Sequence, residues 1–82
     1  MRIAGYIDHP IIKITVLQLS ERYAIKFEWN MLEQTYKFHD DDRLRTFADV
    51  EKLVDEQFLQ EVIERFKSMV QTKMESYKRN IM

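Results

Sequence analysis

From Ile11 to Leu19 the chain is dense in β-branched residues, and Ile12, Ile14 and Val16 fall on one face of an extended segment. The other face carries Ile11, Lys13, Thr15, Leu17 and Leu19 and is not cleanly polar. That is the pattern of a central strand, or of one whose second face meets another chain. After the polar break Ser20-Glu21-Arg22, the residues Tyr23, Ile25, Phe27 and Trp29 alternate strictly with Ala24, Lys26, Glu28 and Asn30. This is the clearest strand signal in the sequence. A tight reversal is expected at Asn30-Met31. Beyond it Leu32, Tyr36 and Phe38 share a face with Gln34, against Glu33, Thr35, Lys37 and His39. Residues 2 to 8 alternate more weakly through Ile3, Gly5 and Ile7 until His9-Pro10 interrupts them. The pattern predicts an antiparallel meander of three or four strands over residues 1–39, with one buried face.

Residues 40–45 read as an acidic connector, and residues 46–79 as helical. Thr46 stands three residues before Asp49, close to a capping box. From Phe47 to about Lys78 no glycine or proline interrupts a helical period of Phe47, Val50, Val54, Phe58, Val62, Phe66, Val70 and Met74. Residues 46–64 hold one base (Lys52) against six acids, a net of −5, and residues 65–82 hold five bases against Glu75, a net of +4. Acids at the start and bases at the end suit the helix dipole. Asp55 is placed to cap a second helix from Glu56, so the segment is one long C-terminal helix or one broken there. The expected fold class is α+β, a single small domain over residues 1–82.

Composition narrows the function. At 82 residues, 45% apolar and 33% charged, there is room for one core only. Without cysteine there are no disulfides, thiolate metal sites or cysteine nucleophiles. One glycine (Gly5) and one proline (Pro10) are too few for a phosphate-cradling loop. A formal charge of −1 supplies no electrostatic reason for general nucleic-acid binding. The first six residues lack a continuous apolar stretch, so no secretory signal is expected. The densest apolar run, Ile11 to Leu19, is interrupted by Lys13, Thr15 and Gln18 and cannot span a bilayer. A cytoplasmic location without membrane contact is the expectation.

Candidate chemistry is sparse. His39 beside Asp40-Asp41-Asp42 invites a metal reading. Calcium loops, however, space their carboxylates around a glycine, and none is present here. A two-histidine zinc site would need His9 and His39 to meet across the fold. Ser20, Ser68 and Ser76 lack a glycine-flanked elbow. Most carboxylates fall on the exposed helix face, where pairs such as Glu61 with Arg65 serve solvation and helix stability. The strand aromatics resemble base-stacking platforms only superficially, because a long amphipathic helix needs a sheet face to cover. No catalytic, cofactor-binding or metal residue is assigned, and no enzyme activity is expected.

Length and rotation point elsewhere. A helix from Phe47 to Lys78 would run about 48 Å, against about 27 Å for an eight-residue strand. About 20 Å of helix would then outrun the sheet while keeping Met69, Val70, Met74, Tyr77 and Ile81. Steps of four along the helix also rotate its apolar stripe by about 40° each, so both ends cannot face one surface. The candidate functional surface is therefore a self-association face at Met69, Val70, Met74, Tyr77 and Ile81, giving a homodimer. The function expected is a non-enzymatic protein-interaction or assembly module, its partner a second copy or another protein. Two alternatives are a nucleic-acid-associated regulator using Arg65, Lys67, Lys73, Lys78 and Arg79, and a small-ligand binder between sheet and helix.

Overall fold

Four antiparallel strands lie side by side in chain order, and two helices cover one face of the sheet they form. The computed structural model describes residues 1–39 and 43–81. The strands are β1 (Arg2–Ile7), β2 (Lys13–Leu19), β3 (Arg22–Trp29) and β4 (Leu32–His39), followed by helices α1 (Phe47–Leu53) and α2 (Glu56–Ile81). The architecture is the expected α+β fold, with the weak amino-terminal alternation forming the fourth strand.

Strands β2, β3 and β4 alternate as their sequences require. The inner face carries Ile14 and Val16 of β2, Tyr23, Ile25 and Phe27 of β3, and Gln34 of β4, all buried. Asn30 and Met31 both take positive φ, 50° and 64°, which joins β3 to β4 by a two-residue turn twisted like the strands it connects. β1 departs from simple alternation. Ile3 faces Leu17 and Gly5 faces Val16, so the register slips by one residue at Ala4. Such a bulge reverses the parity of the strand. Gly5 and Ile7 point inward, whereas Ile3 lies on the outer face and is exposed. The alternation of Ile3 with Gly5 and Ile7 on one face therefore does not hold.

The helical segment is broken where Asp55 allowed. Thr46 caps α1 with a complete capping box: its hydroxyl accepts from the Asp49 backbone N–H, and the Asp49 carboxylate accepts from the Thr46 N–H. Helix α1 ends after two turns. The Asp55 carboxylate then accepts from the Phe58 N–H at 2.8 Å, capping α2. The Tyr23 hydroxyl donates to the Arg45 carbonyl at 2.7 Å and ties the approach to α1 back to β3.

The core lies between the inner sheet face, Leu44, Val50 of α1, and Val62 and Phe66 of α2. Phe27, Tyr36 and Phe58 make three mutual edge-on ring contacts with centroids 5.2–5.9 Å apart. The Trp29 ring meets Phe66 at 5.8 Å. Each such pair adds about 0.5–1.5 kcal/mol beyond its area burial, so the amino-terminal half of α2 is firmly seated. Among the described residues, no buried side-chain polar atom lacks a partner.

Candidate functional site

The carboxyl-terminal half of α2 leaves the domain. Met69 is the last α2 residue packed on the core, Val70 is half-buried, and every described residue from Gln71 to Ile81 is exposed. Eleven residues at 1.5 Å each project about 17 Å, and the molecule measures 50 Å along its longest axis against 25 and 17 Å across. The projecting part keeps its apolar positions: Met74 is 46% exposed, Tyr77 53% and Ile81 68%.

Of the five residues assigned to the self-association face, four fall together and one does not. At 100° per residue, Val70, Met74, Tyr77 and Ile81 lie within about 60° of one another around α2. Their mean direction is about 90° from that of Phe58, Val62, Phe66 and Met69. Met69 packs on the chain's own core, and sequence spacing alone could not separate it from its neighbour Val70.

The exposed stripe does not begin at Val70. Ile63, two turns earlier on the same line, is half-buried and borders an apolar groove of ≈ 200 Å³ formed with Ile11, Ile12, Trp29, Phe66 and Lys67. Ile11 stands 66% exposed at the rim of this groove. A local device holds it there. The His9 Nδ1 accepts from the backbone N–H groups of both Ile11 and Ile12, at 3.1 and 3.2 Å, and fixes the turn between β1 and β2. The imidazole is thus engaged in turn geometry. The groove was not legible in the sequence, because it joins residues from a turn, a strand and a helix.

The other candidates sit apart. His9 belongs to the β1–β2 turn and His39 to the end of β4, Ser20 to the β2–β3 turn, and Ser68 and Ser76 to the exposed side of α2. Asp40, Asp41 and Asp42 lie outside the described residues. Among the described residues, no three His, Asp or Glu side chains are grouped to hold a metal ion. Asp49 is engaged in the cap, where the backbone N–H of Arg45, then the N–H of Thr46 and the Thr46 hydroxyl, hold its carboxyl below the ordinary value of 3.8. Among the described residues, no helix is long and apolar enough to cross a membrane.

The outer sheet face is uncovered by any described element, and Ile3 and Tyr6 stand exposed at its β1 edge, but its centre covers itself. Thr15 and Ala24 are buried there, and Leu17 and Leu19 are half-buried among the side chains of the flanking strands. The projecting stripe has no such neighbours. Comparison of the chain with known protein families, with curated proteins and with solved structures gives no match.

Proposed function

We propose that this chain is a small non-enzymatic interaction module that assembles with a second copy of itself through the projecting half of α2, in the cytoplasm. One observation carries the reading. Val70, Met74, Tyr77 and Ile81 form an apolar line on a helix that has already left its own sheet. Small monomers avoid leaving such a surface in water. Polarizable methionine and amphipathic tyrosine suit a contact formed between chains.

The two alternatives receive less support. The cations of the projecting segment do not form a stripe. At 100° per residue Lys73, Lys78 and Arg79 point in directions about 100–140° apart, and so do not track one phosphate backbone. A small ligand between sheet and helix finds that space filled by Phe27, Val62 and Phe66, each no more than 1% exposed. The marginal groove of ≈ 200 Å³ is smaller than the several hundred Å³ typical of ligand pockets, and the larger clefts of ≈ 580 Å³ beside α1 and ≈ 400 Å³ beside α2 lie open at the edge of β4 rather than between sheet and helix.

Substituting Val70 and Met74 together by glutamate tests the reading. Burying unpaired charges in the contact is strongly unfavourable, whereas both positions are at least partly open in the single chain. V70E/M74E is expected to stay folded, melting cooperatively but somewhat below the wild type because it lacks the partner's stabilisation, and to elute from a sizing column as a monomer. A variant that elutes like the wild type would overturn the reading.

A further inference from the structure

We infer that the two copies pair their α2 helices antiparallel, in a register that sets the helix tip of each chain into the Ile11–Trp29–Ile63 groove of the other. This inference rests on the self-association just proposed and specifies its geometry.

The spacing along the exposed face comes first. Ile63, Val70 and Tyr77 recur every seven residues, and Met74 and Ile81 stand four residues after Val70 and Tyr77. That is the two-position seam of a coiled coil over about two and a half turns of repeat, with Lys67 occupying the remaining seam position. A seam of this kind packs against another helix more readily than against a flat sheet.

Charge then chooses the direction. From Glu56 to Glu64, α2 carries three acids and no base; from Arg65 to Ile81 it carries five bases and one acid. Flanking the seam, Glu64, Gln71 and Lys78 form one row and Lys73 lies in the other. In a parallel pair Lys73 of each helix would face Lys78 of its partner, giving two like-charge contacts by symmetry. An antiparallel pair instead matches each row with itself. Glu64 then faces Lys78 of the other copy twice over, Gln71 meets Gln71 near the two-fold axis, and one Lys73–Lys73 contact remains. Two attractive contacts replace two repulsive ones. Flanking charges of this kind set helix orientation.

Shape sets the register. An axis at the level of Thr72 places Val70 opposite Met74 and Ile63 opposite Ile81, so that every apolar seam residue but Tyr77 meets another. Tyr77 falls across from Lys67, whose aliphatic stem lines the groove. The tip residues Tyr77 and Ile81 thereby arrive at the groove that Ile63 borders and that His9 props open through Ile11. The contact is isologous, each chain offering one tip and one groove, and it closes at two copies.

The chain has no cysteine, so a single Gln57→Cys change gives a unique labelling site on an exposed first-turn position of α2. In the proposed pair, two nitroxide labels at residue 57 lie thirty residues apart along the helix axes, about 45–50 Å by pulsed dipolar spectroscopy. A separation near 20 Å would reveal parallel helices, and one near 35 or 55 Å a slip of one heptad in one direction or the other. Either would overturn the geometry while leaving self-association standing. A labelled chain that stays monomeric at high concentration would overturn both. As a second arm, Ile11→Glu alters a side chain already in solvent and should leave folding intact while weakening dimerisation about tenfold or more. Unchanged dimer affinity would remove the groove from the contact.

Discussion

The Gln34 side chain donates through Nε2 to the carbonyl oxygen of Val62 at 2.9 Å, bridging the middle of β4 to the packed half of α2. The same amide accepts through Oε1 from the Tyr36 hydroxyl at 2.6 Å. A helix held only by apolar contacts can roll on a sheet. One held by a hydrogen bond to a single carbonyl cannot roll freely, and fixing Val62 toward the sheet turns Ile63, Val70, Met74 and Tyr77 to the side. The buried glutamine thus aims the exposed stripe.

Removing that bridge should be costly in isolation. Gln34→Ala leaves the Tyr36 hydroxyl without its acceptor and should lower unfolding stability by about 1–3 kcal/mol, read from urea melts. Tyr36→Phe should cost a similar amount by orphaning the glutamine oxygen. Because both changes break one network, the double variant should lose less than the sum of the two.

Gly5 and Phe47 constrain each other. A Cβ added to Gly5 would lie 2.6 Å from Cε2 of the Phe47 ring, inside the closest approach of real atoms. Gly5→Val should therefore push α1 away from β1 and destabilise the domain by about 1–3 kcal/mol. Restoring space with Phe47→Leu in the same chain should recover part of that loss, and thermal melts of the three variants check it.

Much of this structure was legible because local rules and tertiary packing agree. Tyr23 to Trp29 alternate and form β3, Thr46 and Asp49 make the cap their spacing indicated, and Asp55 ends the segment that could have been one helix. What escaped depends on distant partners. The one-residue bulge at Ala4 leaves no mark in composition, yet it moves Ile3 to the opposite face. Gln34 reads as an ordinary interruption of an apolar face until Val62 stands above it. Met69 and Val70 are neighbours with the same hydrophobic character, and only the docked rotation of α2 packs one on the core and leaves the other on the exposed stripe.

Met31 occupies the left-handed region at φ 64° while 91% exposed, so its side chain gains almost nothing in return for the strain. Asn-Gly is the favoured pair in this two-residue turn. Met31→Gly should raise stability by about 0.5–1 kcal/mol, visible as a higher denaturation midpoint with an unchanged denaturant slope.

The α1 cap should impose a pH dependence. The hydrogen bonds to Asp49 depress its folded pKa below the ordinary 3.8. Its stabilising contribution is therefore complete above that value and lost as pH falls through the lower folded one. Wild type should melt above Asp49→Asn at neutral pH, and the two melting temperatures should converge in strong acid. A constant difference across the titration would mean that the charge is not what the cap uses.

Self-association remains the claim on which the functional account stands, and sedimentation equilibrium of the unmodified chain at micromolar concentration tests it most directly. A species of twice the 10.1 kDa chain mass that dissociates on dilution is expected. A single species at the chain mass, persisting to hundreds of micromolar, would contradict it.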